Sequence, residues 1–244
     1  MVQTKKMYVL PAVKMSELIS ENPYLMLMLE HFGIDLVVGD KTVRELCTET
    51  GISEGLFLSF ANLFNGFQPS TTVQYSFADL KPIILFLKNS HLYYLEEKYP
   101  QIRKYIAQMF EINEQSAMVM VEKFFDQYFA EVTEHLHYED QVVFNYVNKL
   151  LECAETKQAG NLPDNYSVRV YQEHHDDIEE KIEDLKNLLL KHLPSHNDQQ
   201  IRRKLLFSLF ELEYDLNIHT QIEDTILIPL VEKIEQFIST LHDK

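Results

Sequence analysis

Apolar residues return every third or fourth position along most of this chain and hardly anywhere in strict alternation, so the pattern predicts helices rather than strands. Beyond about residue 70, four stretches carry the 4,3,4,3 spacing that turns one face of a helix toward a bundle core. The first runs Leu80, Ile84, Leu87, His91, Tyr94, and the second Val121, Phe125, Tyr128, Val132, His135, Glu139, Val142, Tyr146. The third runs Tyr171, His175, Ile178, Ile182, Leu185, Leu189, and the fourth Leu205, Leu209, Leu212, Leu216, His219, Glu223, Ile226. Breaks separate them at 111–114 (after a kink at Tyr99-Pro100), at 155–165 and at 193–198. Connections this short suit antiparallel neighbours. Before residue 70 the spacing predicts helices over 15–29, 42–50 and 53–64, punctuated by Gly33, Gly39, Gly51 and Gly66, and the linker-like stretch 66–72 places a boundary near residue 70. The expected architecture is all-α: a small helical N-terminal domain over 1–70 and an antiparallel four-helix bundle over 71–244.

Composition narrows the function classes. The chain is 45% hydrophobic with only 6 Gly and 8 Pro, too few for the turns of a sandwich or barrel. Its net charge of −16 argues against a nucleic-acid or anionic-membrane surface. The stretch 42–53 has helix-turn-helix flavour with Gly51 at the turn, yet residues 1–70 hold five basic and eight acidic residues, a net −3 that disfavours DNA. Cys47 and Cys153 form no CxxC pair, so neither a disulfide framework nor a thiolate zinc site is expected. No apolar run approaches the roughly 18 residues of a membrane span, and the opening MVQTKKMYVL lacks the apolar core of a secretion signal; the expected location is cytoplasmic, with no membrane partner.

The polar intruders on the four seams are His91, then His135 with Glu139, then His175, then His219 with Glu223. Their spacing is regular. His91 to His135 and His175 to His219 are both 44 residues, and the His/Glu pair recurs after 84. The midpoints 113, 157 and 197 fall inside the three breaks, so the six side chains are expected at one level of the bundle. Within helices two and four, a separation of four puts His and Glu on one face. Imidazole and carboxylate donors without thiolates suit iron or manganese, carboxylates can bridge two ions, and a structural zinc would be satisfied by four ligands. Burying two carboxylates uncompensated costs several kcal/mol each against a total stability of about 5–15 kcal/mol, and metal ligation is a ready compensation. The seam selects His175, with the adjacent His174 as the alternative. His137 points off the seam, while His31, His192, His196 and His242 lie at loops or ends. Tyr94, Tyr128, Tyr171 and Tyr214 read first as packing.

The pattern H…HxxxE…H…HxxxE, closing with the run from His219 through Glu223 to Pro229, resembles the hemerythrin-like HHE cation-binding domain over about residues 78 to 240. Within that group it is most similar to the iron–sulfur cluster repair di-iron proteins (repair of iron centres), whose sites use four His and two Glu. The stretch 29–46 resembles the short helical domain that precedes the di-iron domain there, but Val37 and Val38 stand where that family carries adjacent cysteines, so its thiol chemistry is not carried over. The resemblance implies two iron ions in a carboxylate-bridged di-iron centre, damaged iron–sulfur proteins as partners, and O2 or NO as ligands at the metals. The implied function is repair or protection of iron–sulfur clusters under nitrosative or oxidative stress by iron donation. An O2/NO sensor and a di-iron NO or peroxide reductase are the alternatives, and a homodimer stays open.

Overall fold

The computed structural model of the protein describes residues 7–70, 72–113, 116–157, 166–174, 180–194 and 197–242, and among them the regular elements are helical, with one isolated antiparallel bridge between Lys14 and Thr42. Four short helices come first: α1 (Met15–Glu21), α2 (Leu25–His31), α3 (Val43–Thr50) and α4 (Glu54–Phe64). The expected single helix over 15–29 is broken in two. Pro23 has no N–H to donate and restricts the residue before it, and Asn22 turns its amide onto the Phe64 carbonyl and the Asn65 side chain. Thr42 and Glu45 close a capping box on α3, and Gly51 ends that helix at φ 74°, a left-handed conformation open to glycine. Helix α4 buries Leu56, Phe57, Ser59 and every residue from Phe60 to Phe64.

The later chain runs in long helical stretches: α5 (Leu80–Leu92) into α6 (Tyr99–Asn113), α7 (Ser116–Tyr138) into α8 (Phe144–Thr156), α9 (Val168–His174), α10 (Glu180–Asn187), and α11 (Gln199–Ile222) into α12 (Ile228–His242). Widened π turns interrupt them at Tyr93–Lys98, Glu139–Val143, Leu188–His192 and Glu223–Leu227. The third ends its helical stretch, with Leu193 extended after it and Pro194 beyond. The first and fourth have a common cause: Tyr99 and Ile228 donate their N–H to carbonyls five residues back, at Tyr94 and Glu223, and each is followed by a proline inside the next helix, Pro100 and Pro229. A proline in a helix lacks its own N–H and its ring collides with the carbonyl four back, so an extra residue in the preceding turn relieves both problems. The turn at Glu139 has no such proline, and it shifts the seam by one. Val142, expected in the core, is 38% exposed, and Val143 is buried in its place.

Two compact units emerge, one of residues 1–89, 144–173 and 218–244, the other of 90–143 and 174–217. The first is built around Phe32, Phe57, Phe60, Phe64 and Phe86, with ring centroids of Phe86 lying 4.8 Å from both Phe32 and Phe60. His31, read from sequence as a helix-end residue, packs its ring edge-on against Phe86 at 5.1 Å. The second unit has its own core, in which Tyr99, Phe125 and Tyr128 meet Ile182, Leu185, Leu205, Leu209 and Leu212. Among the described residues no helix is long and apolar enough to cross a membrane.

Candidate metal centre

The second unit carries a buried carboxylate between imidazoles. Glu139 is the first residue of its π turn and has no exposed surface. His135, in the last turn of α7, puts Nε2 3.0 Å from Glu139 Oε1, and His91, near the end of α5, puts Nε2 3.2 Å from Glu139 Oε2. The separation of four residues within one helix explains the first contact. The second spans 48 positions of chain and needs tertiary structure. The other nitrogen of His91, Nδ1, lies 3.2 Å from Asp140 Oδ1. Burial alone would lower the His91 pKa, but hydrogen bonds and charge from Asp140 and Glu139 outweigh it and hold the ring up to about 9. Burial likewise opposes ionisation of Glu139, yet His135 and His91 together keep its pKa well below the ordinary carboxylate range.

Around this group, Tyr94 is fully buried and donates its hydroxyl to Asp215 at 2.8 Å. Desolvation and the Asp215 charge push the Tyr94 pKa well above its ordinary value, so it remains a phenol. Asp215 is a buried acid that the seams did not select, because it precedes the core residue Leu216 and lies off the apolar spacing. Tyr128 keeps the packing role read from sequence and accepts a hydrogen bond from the Tyr99 hydroxyl. His137, two residues past His135, is exposed.

The first unit repeats part of the arrangement. His219, in the last turn of α11, lies with Nε2 3.4 Å from Oε1 of Glu223, which opens the π turn into α12. Tyr171 donates its hydroxyl to the same oxygen at 2.8 Å. All three are buried. His175 falls outside the described residues, as do the side chain of His174 and the choice between the two. Tyr214 is partly buried.

Within the second unit, His91, His135 and Glu139 are of donor types that could hold a metal ion. The donor set fits one. Two ligands about 2.1 Å from a common ion and a right angle apart stand roughly 3.0 Å from each other, close to the N–O separations on both sides of Glu139. The donors are nitrogen and oxygen, with no thiolate among the residues named. Cys47 and Cys153 are free and buried. Burial first, then the charge of Glu54, push the Cys47 thiol up to about 12, so almost none of it is thiolate at neutral pH. Cys47 in the native protein is therefore expected to alkylate roughly 1,000-fold more slowly than an unperturbed thiol, since the rate follows the thiolate fraction. Iodoacetamide labelling followed by mass spectrometry checks this, and rapid labelling without unfolding would refute it.

Compared with known protein families, curated proteins and solved structures, the chain gives no match.

Proposed function

We propose that the chain is a hemerythrin-like four-helix bundle that binds two iron ions and serves to repair or protect iron–sulfur clusters. The observation that carries the reading is Glu139, a carboxylate without exposed surface whose two oxygens are faced by His135 and His91. A buried acid given two imidazole neighbours in an otherwise apolar helical core is expensive as a stability device, and ligation is the use that repays it. The π turn that opens at Glu139 adds to this, since no proline follows it and such bulges concentrate at functional sites.

In this reading His91, His135, Glu139, His175, His219 and Glu223, the six residues selected by seam and spacing in the sequence, hold the iron. Iron bound there would supply a redox-active, Lewis-acidic centre for NO or O2 and a source of iron for damaged clusters. The chain's own residues do the rest. Tyr171 fixes one oxygen of Glu223 by hydrogen bonding, while Val132, Leu136, Leu212 and Leu216 are buried apolar residues that exclude water from the interior. Because Cys47 is a protonated, buried thiol and Val37 and Val38 carry no sulfur, repair requires no thiol from the N-terminal helices.

The test is to mix iron-loaded protein with an iron–sulfur enzyme inactivated by NO and to follow recovery of that enzyme's activity. Recovery should exceed that given by free ferrous iron at equal concentration, should disappear with Glu223→Ala, and should survive Cys47→Ser. Recovery no better than free iron would defeat the repair function, and loss with Cys47→Ser at normal iron content would reinstate a thiol role.

A further inference from the structure

Two consecutive acids, Glu139 and Asp140, reach the two different nitrogens of one imidazole. Glu139 Oε2 lies 3.2 Å from His91 Nε2, and Asp140 Oδ1 lies 3.2 Å from His91 Nδ1. Neighbouring residues of a regular helix point about 100° apart, so an α-helix seldom presents both to one ring. Here the pair opens a π turn rather than lying inside a regular α-helix. The imidazole is 1% exposed and so has little freedom to turn, whereas Asp140 is 30% exposed and keeps one edge toward solvent. The two carboxylates thus differ in kind: one is sealed beside a second imidazole, and the other stands behind the ring.

We infer that Asp140 is a positioning residue: it accepts the Nδ1–H of His91, fixes that tautomer and ring orientation, and leaves the Nε2 lone pair directed at the metal centre. This inference rests on the iron-binding reading above. The physical ground is general. A neutral imidazole carries its proton on one nitrogen only, and an acceptor behind the ring decides which. It also raises the basicity of the ligating nitrogen, and loss of such a partner typically weakens metal binding about 10–100-fold. The sequence held a faint sign of it, since the Glu-Asp pair at 139–140 recurs at 223–224.

The experiment compares ferrous-iron affinity, by competition with a coloured ferrous chelator, in wild type, Asp140→Ala, Asp140→Asn and Glu152→Ala. Circular dichroism confirms that each variant is folded. Asn retains a side-chain oxygen able to accept Nδ1–H but carries no charge, and Glu152 is an exposed acid farther along the same helical stretch. The expected result is a loss of about 10-fold or more in Asp140→Ala, substantial rescue in Asp140→Asn, and no change in Glu152→Ala. Wild-type affinity in Asp140→Ala would overturn the inference and leave the iron-binding reading standing. Equal weakening in Asp140→Ala and Asp140→Asn would also overturn it, because charge rather than the placed acceptor would then be responsible. Absence of iron from wild type would sink the functional reading itself, and this inference with it.

Discussion

Iron-reconstituted protein is expected to hold about two tightly bound ions per chain, and single ligand substitutions should separate the histidines of α7. Loss of either His135 or Glu223 should cost metal, at least about 100-fold in affinity, because each removes a donor and exposes the remaining ligands to water. His137→Ala should bind iron as wild type does, since its side chain is exposed. Metal analysis after chelator challenge measures all three. One ion per chain would defeat the two-metal proposal, and equal loss in His135→Ala and His137→Ala would mean that the ligands of α7 had been misassigned. His175, outside the described residues, is tested in the same assay against His174: only the ligand should matter.

The second large effect couples metal to folding. Two acids at one level of a dry core lead to the sequence-based expectation that, without metal, carboxylate repulsion dominates. At Glu139 the structure points elsewhere. With His91 held up to about 9 and Glu139 held well below its ordinary range, the metal-free group at neutral pH is an imidazolium beside a carboxylate, an attractive pair. The signs follow from linkage. The His91 contribution is fully present below its ordinary value of 6.5 and is lost as pH rises through about 9; that of Glu139 is present above 4.5 and is lost as pH falls toward its lowered folded value. Metal-free protein should therefore lose heat stability above neutrality, while iron, which requires the unprotonated ring, should stabilise more at pH 8.5 than at pH 6.5. Glu139→Gln should abolish iron binding and also destabilise the metal-free form, by about 3 kcal/mol, or roughly 6–12 °C in Tm. Differential scanning calorimetry with and without iron at both pH values checks it. Coincident melting of iron-loaded and metal-free wild type, or a metal-free Glu139→Gln protein more stable than wild type, would refute the account.

What could be read in the chain, and what could not, divides along a physical line. Contacts between residues four apart on one helix are local consequences of backbone geometry. The approach of His135 to Glu139 and of His219 to Glu223 therefore needs no knowledge of the fold. The all-helical class is equally local, because periodicity and the shortage of Gly are written directly in residue order. Prolines are local too: Pro23 breaks the helix expected over 15–29, and Pro100, Pro194 and Pro229 each follow a widened turn, though only the first of those three was read as a kink.

Only the tertiary structure decided the rest. The π turn at Glu139 has no proline to announce it, and its one-residue slip exchanges Val142 for Val143 in the core, which a fixed 4,3,4,3 spacing cannot foresee. Asp140 behind His91 and Tyr171 beside Glu223 are 49 and 52 residues from their partners, and a seam drawn along one helix says nothing about what a neighbouring helix aims at it. The protonation of the metal-free group was likewise undecidable from spacing, since it depends on which nitrogens and oxygens meet. By itself, the sequence determined that the protein is helical and which residue types interrupt its apolar faces. The folded chain determined how His91 and Asp140 meet Glu139 and its partners, because orientation across helices is set by packing and backbone irregularities that residue order does not encode locally.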